Sequence, residues 1–127
     1  MVCPENSSGG LILLIGRDLI FSSKISGAAR NAGRISRGVR SLEDLKQGLA
    51  EQVTHVVLDL NVTGIDIPQA IKIVQATNPA PRLLAYYSHV ETEVAREARN
   101  LGVSEIYARS KFVQMLPELF IPEVEQR

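Results

Sequence analysis

The chain is 127 residues long, 45% apolar and 22% charged, which suits one soluble domain able to bury its own core. Its 14 basic and 14 acidic residues cancel, so the chain as a whole has no pull toward nucleic acid or an anionic membrane. A single cysteine, Cys3, excludes an internal disulfide framework and fits a reducing, cytoplasmic setting, and no apolar run has the length of a signal peptide or membrane span.

Residues 1–10 are polar, contain Pro4 and end in Gly9-Gly10, the composition of a flexible tail. LILLI at 11–15 reads as a strand buried on both faces, breaking at Gly16. From Asp18 the period becomes helical, with Phe21, Ile25, Ala28 and Ala32 aligned and Gly33 as the stop. RISRGV at 34–39 reads as a second strand, with Ile35, Arg37 and Val39 on one face. Ser41 and Asp44 form a capping-box-like start for a helix over 42–50, with Leu42, Leu45 and Leu49 inward. VTHVVLDL at 53–60 is the third strand, and it ends on a carboxylate, Asp59, that an apolar strand tolerates only at a polar rim.

A helix over 67–77 follows, with Pro68 in its first turn and Ile67, Ile71 and Val74 apolar. NPAP breaks the chain at 78–81, and RLLAYYS at 82–88 reads as the fourth strand. Helix 90–101 aligns Val90, Val94, Ala98 and Leu101, and SEIYA at 104–108 is the fifth strand. The last helix occupies part of 110–120, where Pro117 falls in its first turns or kinks it. Strands alternating with helices at short spacing predict an α/β doubly wound parallel sheet, whose cleft lies at the carboxyl ends of the strands.

From Leu11 to about Phe120 the order and spacing of elements resemble the receiver domain of two-component response regulators. VVLDL followed by NVTGID is similar to that family's phospho-acceptor strand and loop, and LGVSEIYARS to its segment before a lysine and proline. The resemblance implies a flavodoxin-like (βα)5 sheet of order 2-1-3-4-5 over 11–121, a C-terminal tail over 122–127, and Asp59 as the phospho-acceptor position. Where the family carries an acidic pair after the first strand, this chain has Gly16 and Arg17, with Asp18 one place late. Its hydroxyl residue falls on Tyr87, with Ser88 next; its lysine falls on Arg109 and its proline on Ser110, with Lys111 two places late. The site resembles a degenerate, pseudo-receiver form.

Magnesium, the cofactor the family uses, demands oxygen ligands in near-octahedral array, and Gly16 supplies none. Two positive charges ~4 Å apart repel by ~4 kcal/mol at an effective dielectric of ~20, so Arg17 also opposes a cation. No cofactor is therefore expected. Arg17, Arg109 or both are expected to pair with Asp59 in place of metal and lysine; the alternative leaves both in solvent and Asp59 at a wet strand end. An aromatic on the fifth strand that reports on the fourth loop lies close to Tyr107 in this reading, while Tyr86 is ordinary packing.

Between Arg17 and Arg40 stand six basic residues and one acid, a polarised stretch in which Arg30 and Arg34 are candidates for an interaction surface. Phe112, Met115, Leu116, Leu119 and Phe120 in the last helix either close the core or favour a homodimer. His55 and His89 lack partners at metal-ligand spacing, and Ser88-His89 lacks an orienting acid, so neither metal nor hydrolase chemistry is expected. The function expected is that of a stand-alone, non-enzymatic signalling module that binds a protein, such as a kinase, independently of phosphorylation, through the face of helix 90–101 and strand 104–108 that holds Tyr107 or through the basic stretch with Arg30 and Arg34. Two alternatives stay open: Asp59 phosphorylated in an atypical site with Asp18 and Ser88 assisting, or an anion or small-ligand pocket at the rim held by Arg17 and Arg109.

Overall fold

Leu11–Ile15 forms the interior strand β1, and all five residues are buried because helices cover both of its faces. The structure, a computed structural model, describes residues 10–88 and 93–121. Around β1 lie β2 (Ile35–Val39), β3 (Val53–Asp59), β4 (Arg82–Tyr87) and β5 (Ile106–Ala108), all parallel, in the order 2-1-3-4-5. The helices are α1 (Leu19–Asn31), α2 (Leu42–Leu49), α3 (Ile67–Gln75), α4 (Glu93–Asn100) and α5 (Arg109–Leu119).

Strand alternation divides the apolar side chains into two layers. Leu11, Leu13, Ile15, Val56 and Leu58 pack with Leu45 of α2, Ile71 of α3 and Ala95 of α4. Ile12, Leu14, Val57 and Tyr86 pack with Phe21 and Ile25 of α1 and with Phe112 and Leu116 of α5. This is the doubly wound parallel sheet the alternating pattern predicts, in the flavodoxin-like strand order the resemblance implies.

Side-chain caps set three helix starts. Asp18 accepts from the Phe21 N–H at 3.0 Å, Ser41 from Asp44 at 3.0 Å and Asp66 from Gln69 at 3.1 Å. The box at Ser41 closes differently from the ideal: Asp44 reaches the N–H of Arg40, not of Ser41, at 3.2 Å.

Several boundaries shift. β5 begins at Ile106, two residues later than expected, and Pro117 lies near the end of α5 rather than in its first turns. Gly10, expected in the tail, is tied to the sheet through its carbonyl, which accepts from Ile35 at 3.3 Å. On the face of β2 expected to hold Ile35, Arg37 and Val39, only Val39 is buried, since β2 is an edge strand and Ile35 is 67% exposed. The predicted tails over 1–9 and 122–127, and His89 and Val90, lie outside the described residues.

The last helix has no surplus of apolar groups. Phe112, Leu116, Leu119 and Phe120 are all buried in the α1/α5 layer, with Met115 packed against them. The expectation of a homodimer through this helix loses its observation, because the core absorbs the side chains that carried it.

Candidate functional site

The sheet order reverses between β1 and β3, so the crevice of this fold opens where their carboxyl ends part. Gly16, Arg17 and Asp18 leave β1 there, and Asp59 ends β3 beside them. Asp59 is 8% exposed. One of its oxygens, Oδ1, accepts from the N–H of Asn61 at 2.8 Å. Burial pushes its carboxyl above the ordinary aspartate range; the Asn61 bond and the Arg109 charge partly offset this, and the Asp18 charge adds to it.

The close packing of β1 on β3 explains Gly16. A Cβ at that position would lie 3.0 Å from the Cβ of Asp59, a tight contact that a larger residue relieves only by moving the acid. Arg17 makes no ion pair with Asp59 among the described residues and lies over the loop after β3, where its Nη2 is 3.1 Å from the point a Cβ of Gly64 would occupy. Gly64 has φ +88, a conformation glycine adopts without strain.

Arg109 is also committed elsewhere. Its Nη2 pairs with Asp18 Oδ2 at 2.7 Å, and its guanidinium stacks over the Phe21 ring at 4.7 Å. The expected pairing of Arg17 or Arg109 with Asp59 is therefore corrected: among the described residues Asp59 forms no ion pair, and the guanidinium nearest the family's lysine position is held by Asp18. The physical reason is that Asp18 is the more exposed acid and already ordered as the α1 cap, so pairing there avoids desolvating the guanidinium against a buried strand end. Asp18 is thereby spent twice, once on the Phe21 N–H and once on Arg109.

A dication would need carboxylate oxygens that are free to turn toward it. Asp59 has one of its oxygens bonded, both of Asp18 are engaged, and no other acid stands at the end of β1. Among the described residues no three His, Cys, Asp or Glu gather as metal ligands. Among the described residues, Oδ2 of Asp59 is the carboxylate oxygen at this rim that no hydrogen bond or ion pair engages.

Of the remaining candidates, Ser88, Arg109 and Ser110 line one shallow concavity of about 570 Å³ on the α5 side. Gly16 and Arg17 line another of about 380 Å³ on the β2 side, so the anion holder expected from Arg17 with Arg109 is not assembled. Tyr87 packs in the α2/α3/α4 layer, whereas Tyr107 lies against the α1/α5 layer, with its hydroxyl donating to Glu105 at 3.1 Å. Tyr107 does not share the Tyr87 face, since neighbouring strand positions face opposite sides; Ile106 does. Tyr86 is core, edge-on to Phe21 at 4.4 Å.

The basic stretch is not one patch. Arg34 donates to the Phe120 carbonyl and, at 3.2 Å, to Thr54, so its role is to tie the end of α5 to β3, not to offer a surface. Arg37 pairs with Glu51 at 2.8 Å, while Arg30 is exposed on α1. Sequence reasoning missed Asn61. Its N–H serves Asp59 and its side-chain oxygen accepts from the Ser88 N–H at 2.9 Å, joining the ends of β3 and β4. The signal was present as Asp-x-Asn, the spacing of a side-chain-to-backbone turn.

Two substitutions test these roles. Asp59→Asn keeps the acceptor for Asn61 and removes a charge whose pKa is raised by folding, so it should raise the stability of the fold at pH 7. A raised carboxyl favours the folded state when protonated, so the gain should shrink as pH falls through the folded pKa, as urea melts at two pH values would show. Asp18→Ala should cost about 2 kcal/mol, from a lost cap and a partly exposed ion pair, and Asp18→Asn, which keeps the cap, less than half of that.

In sequence the chain matches no family profile and no curated protein. In structure it is similar to the phosphorylated cyanobacterial phytochrome response regulator RcpA, at 15% identity and TM-score 0.70, over 87% of this chain and 90% of that one. The receiver domain of NtrX from Brucella abortus matches at 15% identity and TM-score 0.68, over 87% and 97% of the two chains. A response regulator from Burkholderia pseudomallei, solved with a phosphorylated aspartic acid, calcium and citrate, matches at 17% and 0.66, over 92% and 71%. The fold is the receiver fold.

Proposed function

We propose that the chain is a receiver-like signalling module that binds a protein partner without being switched by phosphorylation. The observation that carries this reading is the double use of Asp18, which caps α1 and holds Arg109 at 2.7 Å. Phosphoryl transfer to Asp59 requires neutralisation of the transferring charge. Here the second acid that would share a dication is engaged, and the arginine that would meet the phosphate is engaged with it. Opening that pair to admit phosphate would expose the cap and release the guanidinium from Phe21. The rim is thus stable without a switch, and the sheet remains a rigid platform for docking. No helix among the described residues is long and apolar enough to cross a membrane.

Incubation with acetyl phosphate and magnesium, followed by intact mass, should leave the protein unmodified. Immobilised wild type and Asp59→Asn should capture the same protein from native lysate in equal amounts. A stable added phosphate that changes the capture would replace this reading with a phosphorylated one.

A further inference from the structure

We propose that the cavity between the ends of β1 and β2 and the loop after β3 binds a small amphipathic anion, a carboxylate head on an apolar body. Its volume of about 380 Å³ falls within the range of small-molecule sites, ~300–1,000 Å³. Leu19, Val39, Val62 and Ile65 give it apolar walls, and Arg17 and Arg40 supply two cations. No acid lines it. Among the described residues neither guanidinium has a carboxylate partner, whereas Arg37, Arg82 and Arg109 are each paired.

The two kinds of lining select one kind of ligand. A bare inorganic anion would satisfy the arginines and leave the apolar walls in water. An apolar molecule would cover the walls and leave two cations beside a drier surface. A carboxylate with a hydrocarbon body does both, and the planar guanidinium fits a carboxylate edge to edge. The absent side chain of Gly64 leaves the space over which Arg17 lies, so the cation is set above the loop. Leu19, 83% exposed at the mouth, extends the apolar wall outward, and a body longer than the cavity would cover it. Asp59 does not line the cavity, and its Oδ1 is bonded to Asn61. This site is independent of the protein-binding reading; each can fail alone.

The probe is octanoate, titrated into isotope-labelled full chain and followed by NMR. It should shift the amide signals of Leu19, Val39, Val62 and Ile65 saturably. Arg17→Gln with Arg40→Gln should weaken binding by roughly tenfold or more, with an unchanged thermal melt. Should that pair of changes disturb the fold, Arg40→Gln alone, at an exposed position, should weaken it by about threefold. Octylammonium should leave those signals in place, and inorganic phosphate should bind at least about tenfold more weakly than octanoate. The proposal is overturned if octanoate moves no signal or a different set, if the arginine variants bind equally, or if octylammonium or phosphate matches octanoate.

Discussion

Lowering the pH from 7 to 4 is expected to cost the fold about 3 kcal/mol through His55 alone. His55 is 7% exposed, its Nδ1 lies 2.8 Å from the Thr54 hydroxyl, and its ring stands edge-on to Phe120 at 5.0 Å. Burial, and then the charges of Arg34 and Arg82, push its pKa from 6.5 down to about 4, with Glu105 opposing the trend. The unfolded chain therefore binds more protons between those two values. Stability is fully present above pH 6.5 and is lost as pH falls through the window to about 4. His55→Phe keeps the ring against Phe120 and removes the proton, so its urea stability should stay nearly level from pH 7 to pH 5 while the wild type declines. Wild-type and variant curves that run parallel over that range would show that His55 titrates normally and is not held neutral by the fold.

Much of the fold was legible because its signals are local. The run at 11–15 has no polar residue, which only a strand covered on both faces allows, and the caps at Asp18 and Ser41 sit where a short polar residue precedes an apolar period. Asp59 was legible for the same reason, as one acid at the end of a buried strand. The partners of the arginines were not. Arg109 is distant in sequence from Asp18 and reaches it because α5 packs on α1 through Phe21 and Phe112, a tertiary fact with no local trace. Arg34 likewise reads as a surface residue until the end of α5 brings the Phe120 carbonyl to it. Reading charge by position in the chain therefore overstated both the pairing at Asp59 and the basic patch. It also missed Arg40, which shares a cavity with Arg17 only because β2 lies beside β1.

Replacing the residues that oppose a cation should create a metal response that the wild type lacks. In Gly16→Asp with Arg17→Asp, two carboxylates would join Asp59 at the crevice, and Arg17 would no longer contribute its charge. Without metal this variant should be less stable than wild type by roughly 1–3 kcal/mol, because the new Cβ would meet that of Asp59 at 3.0 Å and like charges would be crowded together. Magnesium at about a hundred times its Kd should then restore about 2.7 kcal/mol, the linkage expected of a ligand that binds only the folded state. The wild-type melt should not move over the same titration. Beryllofluoride added with magnesium separates metal binding from acceptor chemistry, since it would modify Asp59 only where the cation has already neutralised the rim. A variant that ignores magnesium would place the obstacle in the Asp18–Arg109 pair, which these two changes leave intact. A wild-type protein stabilised by magnesium to the same extent would mean that Asp18 turns from α1 to the metal at a cost the ion offsets, and the reading of a rim closed to phosphate would have to be abandoned.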